Sequence, residues 1–269
     1  MKSVIPSLLA CSIFFAACKK EKTEPIFNDK NLAPLSVEFD NIVGGTNLYL
    51  DNTTYTNASG EDYTISLVQY YVSNFRIYKA DGTSYTIPQK DSYFLVKESD
   101  PDTRFARLKV PEGDYTRLVF ILGVDSLRST LDVDQRTGVL DPSGGMDDGM
   151  YWGWNSGYIF FKLEGLSDAA PADGSGQHKF RYHIGGFGGY NAPTINNIRE
   201  ISIDLTAAGE AKVRKDRSSN IHLMVDIGKV LSGQNTISIA THPSVMFSDF
   251  SVHIADNLAG MFTHDHTEN

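Results

Sequence analysis

All seven histidines of the chain lie between His178 and His266, and none occurs in the first 177 residues. Together with methionine they offer imidazole and thioether, which copper accepts readily, whereas magnesium and calcium prefer oxygen-rich sites. His222 and Met224 are two apart in a strand-like run and share a face; His264 and His266 have the same spacing in the polar tail. His242, Met246, His253 and Met261 follow one another at four, seven and eight residues, and on a helix His253 and Met261 would lie on nearly one face. His178 and His183 bracket one predicted strand at a spacing of five, which sends them to opposite faces. The plainer reading keeps His222 as an ordinary strand residue and leaves His264 and His266 on a frayed tail.

The second chemical feature is the segment Leu140 to Gly165, which holds both tryptophans of the chain, Trp152 and Trp154. Two apart in an extended segment, they place both indoles on one face, with Tyr151 and Gly153 on the other. Such a pair suits a cap over the core ahead of a buried strand, and it equally suits stacking on a glycan. Met146, Met150, Asp147 and Asp148 nearby make it less ordinary.

Other signatures fail on context. The glycines of Gly185-Gly186-Phe187-Gly188-Gly189 precede Tyr-Asn-Ala-Pro, not the helix that a dinucleotide cradle needs. Asp132, Asp134 and Asp141 lack the glycine and terminal glutamate of an EF-hand loop. No Gly-x-Ser-x-Gly elbow is present, so the chain is expected to bind and not to turn over.

The N-terminus sets a chemical boundary on any site. Lys2, an apolar run from Val4 to Phe15 and the ending Ala16-Ala17-Cys18 read as a lipoprotein signal, residues 1–17, with Cys18 acylated. The run is shorter than the roughly 20 residues that span a bilayer. Cys11 leaves with the signal and Cys18 carries lipid, so a metal site must be built without thiolate. Losing Lys2 leaves 23 basic residues against 33 acidic, a charge of -10 that opposes nucleic-acid binding. Residues 18–34, charged and bounded by Pro25 and Pro34, read as the lipidated tether, placing the chain in the cell envelope on the periplasmic face or outer surface of the outer membrane.

The elements that must position these groups read as strands. Leu35–Phe39, Thr64–Tyr78, Tyr93–Val96, Thr116–Val124, Ser156–Leu163, Lys179–Ile184, Glu200–Leu205 and Asn220–Val225 alternate or are β-branched, with Gly, Asn, Asp and Pro between them. Short helices are predicted at Ile227–Leu231 and Phe250–Met261. The expectation is an all-β chain: an antiparallel β-sandwich-like single domain over 35–269 with one or two short helices near the C-terminus.

Several stretches also match a known family. Val37-Glu-Phe-Asp40, Tyr70-Tyr-Val-Ser-Asn74, Val110-Pro-Glu-Gly-Asp-Tyr115, Phe120-Ile-Leu-Gly-Val-Asp125, Leu140-Asp-Pro142, Met150-Tyr-Trp-Gly-Trp-Asn-Ser-Gly-Tyr158, Glu164-Gly165, Tyr182-His-Ile-Gly185 and Ile221–Val225 occur in the order seen in MbnP-like copper-binding proteins, which the chain resembles over nearly its whole mature length. The resemblance implies a β-sandwich-like extracytoplasmic copper protein. It also implies a partner, a di-haem protein of the cytochrome c peroxidase class, that oxidises a tryptophan to kynurenine; Trp152 and Trp154 are the candidates. Among metal ligands it points to His183, in the matching Tyr-His-Ile-Gly stretch. His253 and Met261 join it through donor softness and their shared helix.

Overall fold

The structure, a computed structural model, describes residues 31–154 and 157–269. The signal segment, Cys18 and nearly all of the tether lie outside the described residues. The first strand, β1 (Leu32–Val43), begins three residues inside the expected tether, and Ala33 is already buried.

The strand periods seen in the sequence are realised closely. β2 (Asp62–Tyr78), β3 (Tyr93–Lys97), β4 (Phe105–Pro111), β5 (Arg117–Leu122), β6 (Tyr151–Trp152), β7 (Gly157–Leu166), β8 (Lys179–Gly185), β9 (Arg199–Asp204), β10 (Ser219–Asp226), β11 (Ser244–Val245) and β12 (Phe262–Glu268) form two main sheets. The first runs β12-β10-β1, with β4 on the far side of β1; the second runs β9-β5-β2-β7-β8-β11, with β3 also on β2 and β6 on β7. The fold is all-β, with the short helices α1 (Ser126–Thr130), α2 (Pro142–Asp147), α3 (Lys229–Ser232) and α4 (Ser251–Leu258) at strand connections.

Alternation decides what each sheet buries. In β1 and β10 every second residue is buried, so Val37, Phe39, Ile221, Leu223 and Val225 face the second sheet. There Phe39 meets Phe120 edge-on at 5.7 Å, and Phe120 meets Phe262 at 5.2 Å. These contacts join the two layers through one aromatic core, the arrangement of a sandwich.

Two pairings depart from the antiparallel expectation. β1 runs parallel to β10 from Leu35↔Ser219 to Ile42↔Asp226, and β8 runs parallel to β11. Strand alternation carries no direction. Parallel partners need a long crossover, and here nearly the whole second sheet supplies it. The C-terminal helix is also shorter than predicted, because Gly260 follows it and the chain turns into β12. Met261 is therefore not on the helix that carries His253. It is fully buried in the core.

Candidate functional site

The tryptophan segment is anchored by the motifs that looked most distinctive in sequence. Asn74 takes a left-handed φ of 55°, which Asn tolerates better than most residues, at a register break in β2. There Ser73 Oγ donates to the Gly123 carbonyl at 2.7 Å, and Asn74 Nδ2 donates to Asp125 at 3.1 Å. Asp125 in turn caps α1 by accepting from the Arg128 N–H at 3.0 Å. Gly123 has φ 120°, and a Cβ there would stand 2.9 Å from the Phe160 ring. The two motifs thus form one joint that fixes the start of the connection to Trp152.

Trp152 is buried and Trp154 is 67% exposed, with ring centroids 5.5 Å apart. The Trp152 ring lies over Gly185 of β8, where a Cβ would approach it to 2.8 Å, and meets Phe247 edge-on at 6.2 Å. Its Nε1 is buried without a hydrogen-bond partner among the described residues. Beside it opens a cleft of about 570 Å³, lined by Trp152, Tyr158, Phe187, Tyr190, Phe247 and Arg136 among others.

The three ligands expected from sequence lie on three different parts of the fold: His183 on β8, His253 in α4 and Met261 in the core between α4 and β12. His183 Nε2 bonds to Glu164 Oε1 at 2.7 Å, and that bond, against the opposing effect of burial and helped by Lys162, holds the Glu164 carboxyl below its ordinary range. His253 lies in α4 with its ring 5.3 Å from Phe250, whose other neighbour is the stacked His242 ring at 3.6 Å. Met261 is a core side chain.

Imidazoles and carboxylate converge elsewhere. On the outer face of the first sheet, His222 of β10 faces His266 of β12, with rings 4.9 Å apart. Asp265 Oδ2 lies 2.7 Å from His266 Nδ1 and 3.2 Å from His222 Nδ1. One ligand atom from each of His222, Asp265 and His266 falls within 4.8 Å of the others, and this is the group of three or more His, Cys, Asp or Glu side chains placed to hold a metal among the described residues. Asp40 of β1 brings its Oδ2 to 3.7 Å from His222 Nε2.

A bulge makes this possible. The pairing is regular from Val225↔Phe262 to Leu223↔His264, then skips Asp265, so that His222 pairs with His266. The extra residue shifts the alternation, placing Asp265 and His266 on the outer face while His264, opposite the inward Leu223, turns the other way. The expectation that His264 and His266 share a face is corrected by this bulge. His264 instead bonds Thr267 Oγ1 at 2.9 Å, and burial chiefly holds its imidazole below the ordinary range. The hydrogen bonds from His266 and His222 hold the Asp265 carboxyl down, and the same bond to Asp265 raises the His266 imidazole.

The shared face of His222 and Met224 was legible in the sequence. The partner strand was not, because Thr-His-Asp-His-Thr-Glu has no apolar alternation and reads as a solvated tail. The donor set is of a kind that first-row transition ions accept, copper among them: two imidazoles and a carboxylate converge on one face of a sheet.

Comparison with known proteins places the fold. No curated protein matches the chain. Among solved structures it is similar to MbnP from Methylosinus trichosporium, at 17% identity and a TM-score of 0.56 over 80% of this chain and 83% of that one. The MbnP family profile matches residues 33–247, which covers both main sheets up to β11 and the tryptophan segment but stops short of β12. On the strength of that match, the chain belongs to the MbnP family.

Proposed function

We propose that this chain is an extracytoplasmic, lipid-anchored copper-binding protein that sequesters copper or hands it on without catalytic turnover. Membership of the MbnP family, which carries a copper-related role, supports the class of cargo. The observation that carries the reading is the convergence of His222, Asp265 and His266 within 4.8 Å. Asp265 bonds to both rings and so holds them toward a common point; the sheet beneath supplies the rigidity. The signal segment and Cys18 support attachment in the envelope, periplasmic or surface-facing.

The tryptophan pair supports a partner of the di-haem cytochrome c peroxidase class. Trp154 is exposed enough to be approached by an oxidant and touches the buried Trp152, whose Nε1 has no competing hydrogen bond among the described residues. Copper analysis and intact-mass measurement of the chain purified from its own host test both parts. Bound copper that disappears in His222→Ala and His266→Ala supports the metal reading; a wild-type chain that takes up no copper in metal-free buffer sinks it. Extra mass confined to the tryptophan peptide supports the oxidising partner, and an unmodified peptide removes it.

A second reading, surface glycan binding, is favoured by one feature. The aromatic cleft carries Tyr190 at 71% exposure, with exposed Trp154 tilted at 45° against its Trp152 wall. Glycan retention lost in Trp154→Ala, with copper uptake unchanged, would favour it.

A further inference from the structure

We propose that the cleft beside Trp152 is a binding site for a flat, mainly apolar organic anion, its ring held among aromatic walls and its carboxylate at Arg136. None of His222, Asp265 and His266 lines this cleft, so the site is independent of copper. Aromatic anion and glycan are rival occupants of one space.

One wall is the glycine-rich run that the sequence left without a role. Gly186 and Gly189 take φ of 115° and 98°, and a Cβ on either would meet backbone: the Ile195 carbonyl oxygen at 2.8 Å from Gly186, the Ala192 carbonyl oxygen closer still from Gly189. The loop folds back on itself, Gly188 N–H donating to the Ile195 carbonyl and Thr194 N–H to the Gly188 carbonyl, both at 3.0 Å. Its base is pinned by buried Asn197, whose Nδ2 donates to the Gly185 carbonyl and to Ser251 Oγ, both at 2.8 Å. Phe187 and Tyr190 are therefore carried on a fixed loop, and Trp152, Tyr158 and Phe247 complete the aromatic lining. At about 570 Å³ the cleft is preformed and of the size that takes small organic molecules.

Arg136 decides the charge of the guest. It is partly buried, and its Nε and Nη1 donate to the Leu131 carbonyl at 2.8 Å and the Tyr151 hydroxyl at 3.3 Å. Neither partner is a carboxylate, and among the described residues no carboxylate pairs with it. Other partly buried guanidinium groups are answered: Arg104 by Glu98 at 2.6 Å, Arg199 by Asp256 at 2.7 Å. A cation drawn out of water is costly until it is paired, and the planar guanidinium fork matches a carboxylate. Arg136 is the group that an anionic ligand would satisfy.

The neighbouring carboxylates are engaged elsewhere or face water. Asp141 accepts from the Ser143 N–H at 2.9 Å, and Asp125 is taken up by Asn74, Tyr93 and the Arg128 N–H. Asp132 lines the cleft but is exposed, where salt screens its hold on a cation. The chain carries a net charge of -9, so a guanidinium among these rings is not part of a basic surface. The hydroxyls favour an aromatic guest over a sugar, which needs many polar partners. Ser129 Oγ already donates to the Val124 carbonyl at 3.4 Å, and Thr130 Oγ1 to the Ser126 carbonyl at 2.9 Å. The rings, by contrast, offer faces and edges to a second aromatic system.

The test titrates the whole chain in detergent by calorimetry, with empty micelles as blanks. The probes are naphthoate, its neutral and cationic counterparts naphthalenemethanol and naphthylmethylammonium, and cellohexaose. The proposal expects naphthoate to bind with a Kd below about 0.1 mM and roughly tenfold tighter than either counterpart, the factor that one charge-assisted hydrogen bond supplies. Arg136→Gln removes the preference for naphthoate over naphthalenemethanol, Arg136→Lys keeps part of it, and Tyr190→Ala weakens both probes. Circular dichroism melts confirm that the variants are folded. The charge preference is read first in the wild-type chain, so a misfolded Arg136 variant leaves the proposal open to refutation. Preference for the ammonium probe, lost in Asp132→Asn, overturns the sign of the ligand. Naphthoate binding unaltered in both Arg136→Gln and Tyr190→Ala overturns the site. Cellohexaose binding without naphthoate binding overturns the proposal in favour of the glycan reading. Failure of every probe overturns it as well, and copper uptake is untouched by any of these outcomes.

Discussion

Asp265 stands unpaired between His264 and His266, and its carboxylate bonds both His266, its sequence neighbour, and His222, forty-three residues away on the adjoining strand. One extra residue in a seven-residue strand is what assembles the candidate centre. Deleting Asp265 restores regular alternation with His266 still opposite His222, and removes the carboxylate that bonds both rings. The deletion is expected to leave the thermal melt within a few degrees, since Asp265 and His266 are exposed, and to weaken copper uptake at least tenfold. A titration beside a melt checks both halves.

Glu61 clips the loop before β11 to the start of β2. Its carboxylate accepts from Asn57 Nδ2 at 2.7 Å, Ser238 Oγ at 2.8 Å and the N–H groups of Ile239 and Ala240 at 2.7 and 3.0 Å. Burial pushes its pKa up, but these hydrogen bonds outweigh burial and leave it below the usual 4.5. A carboxyl depressed in the folded state binds fewer protons than in the unfolded chain, so its contribution is full above pH 4.5 and fades as pH falls through the lowered value. Glu61→Gln is expected to cost about 1–3 kcal/mol at pH 7 and to narrow the gap from wild type as pH drops below 4.5. Urea unfolding at pH 7 and pH 3.5 reads this.

Gly185 is where Trp152 rests. A Cβ there would lie 2.4 Å from the Tyr158 carbonyl oxygen and 2.8 Å from the indole. Gly185→Ala should destabilise by roughly 1–3 kcal/mol, because backbone on one side prevents simple relief. A red shift of tryptophan emission, from Trp152 displaced toward water, is the spectroscopic companion.

The two tryptophans should separate cleanly in stability. Trp152→Ala removes a buried ring and is expected to cost about 3–5 kcal/mol. Trp154→Ala removes an exposed one and should change stability by less than about 0.5 kcal/mol. Denaturant midpoints of the two variants give the comparison.

Much of the fold was readable because its strands bury one face and alternate, as in β1 and β10, where every second side chain faces the core. Strand direction was not readable, since a period of two is the same for parallel and antiparallel neighbours. Met261 was ambiguous in sequence because an unbranched apolar thioether serves equally as ligand and as packing; in the fold it is buried in the core. For His183 the strand and its Tyr-His-Ile-Gly stretch were legible, whereas its partner Glu164 lies on the neighbouring strand and was not. For His222 and His266 the types and the spacing were visible, and the bulge that aligns them was not. It depends on how two strands count past each other, which neither strand states alone.

The parallel pairing of β1 with β10 also sets the order in which the chain can acquire its shape. The first strand to be synthesised finds its long central neighbour almost two hundred residues later, so the first sheet cannot close until the C-terminal part has been made. Until then β1 has β4 alone along most of one edge, and its apolar side chains wait uncovered. Completion of the fold is expected to lag synthesis, and a chain cut before Ser219 is expected to be a ready substrate for proteolysis.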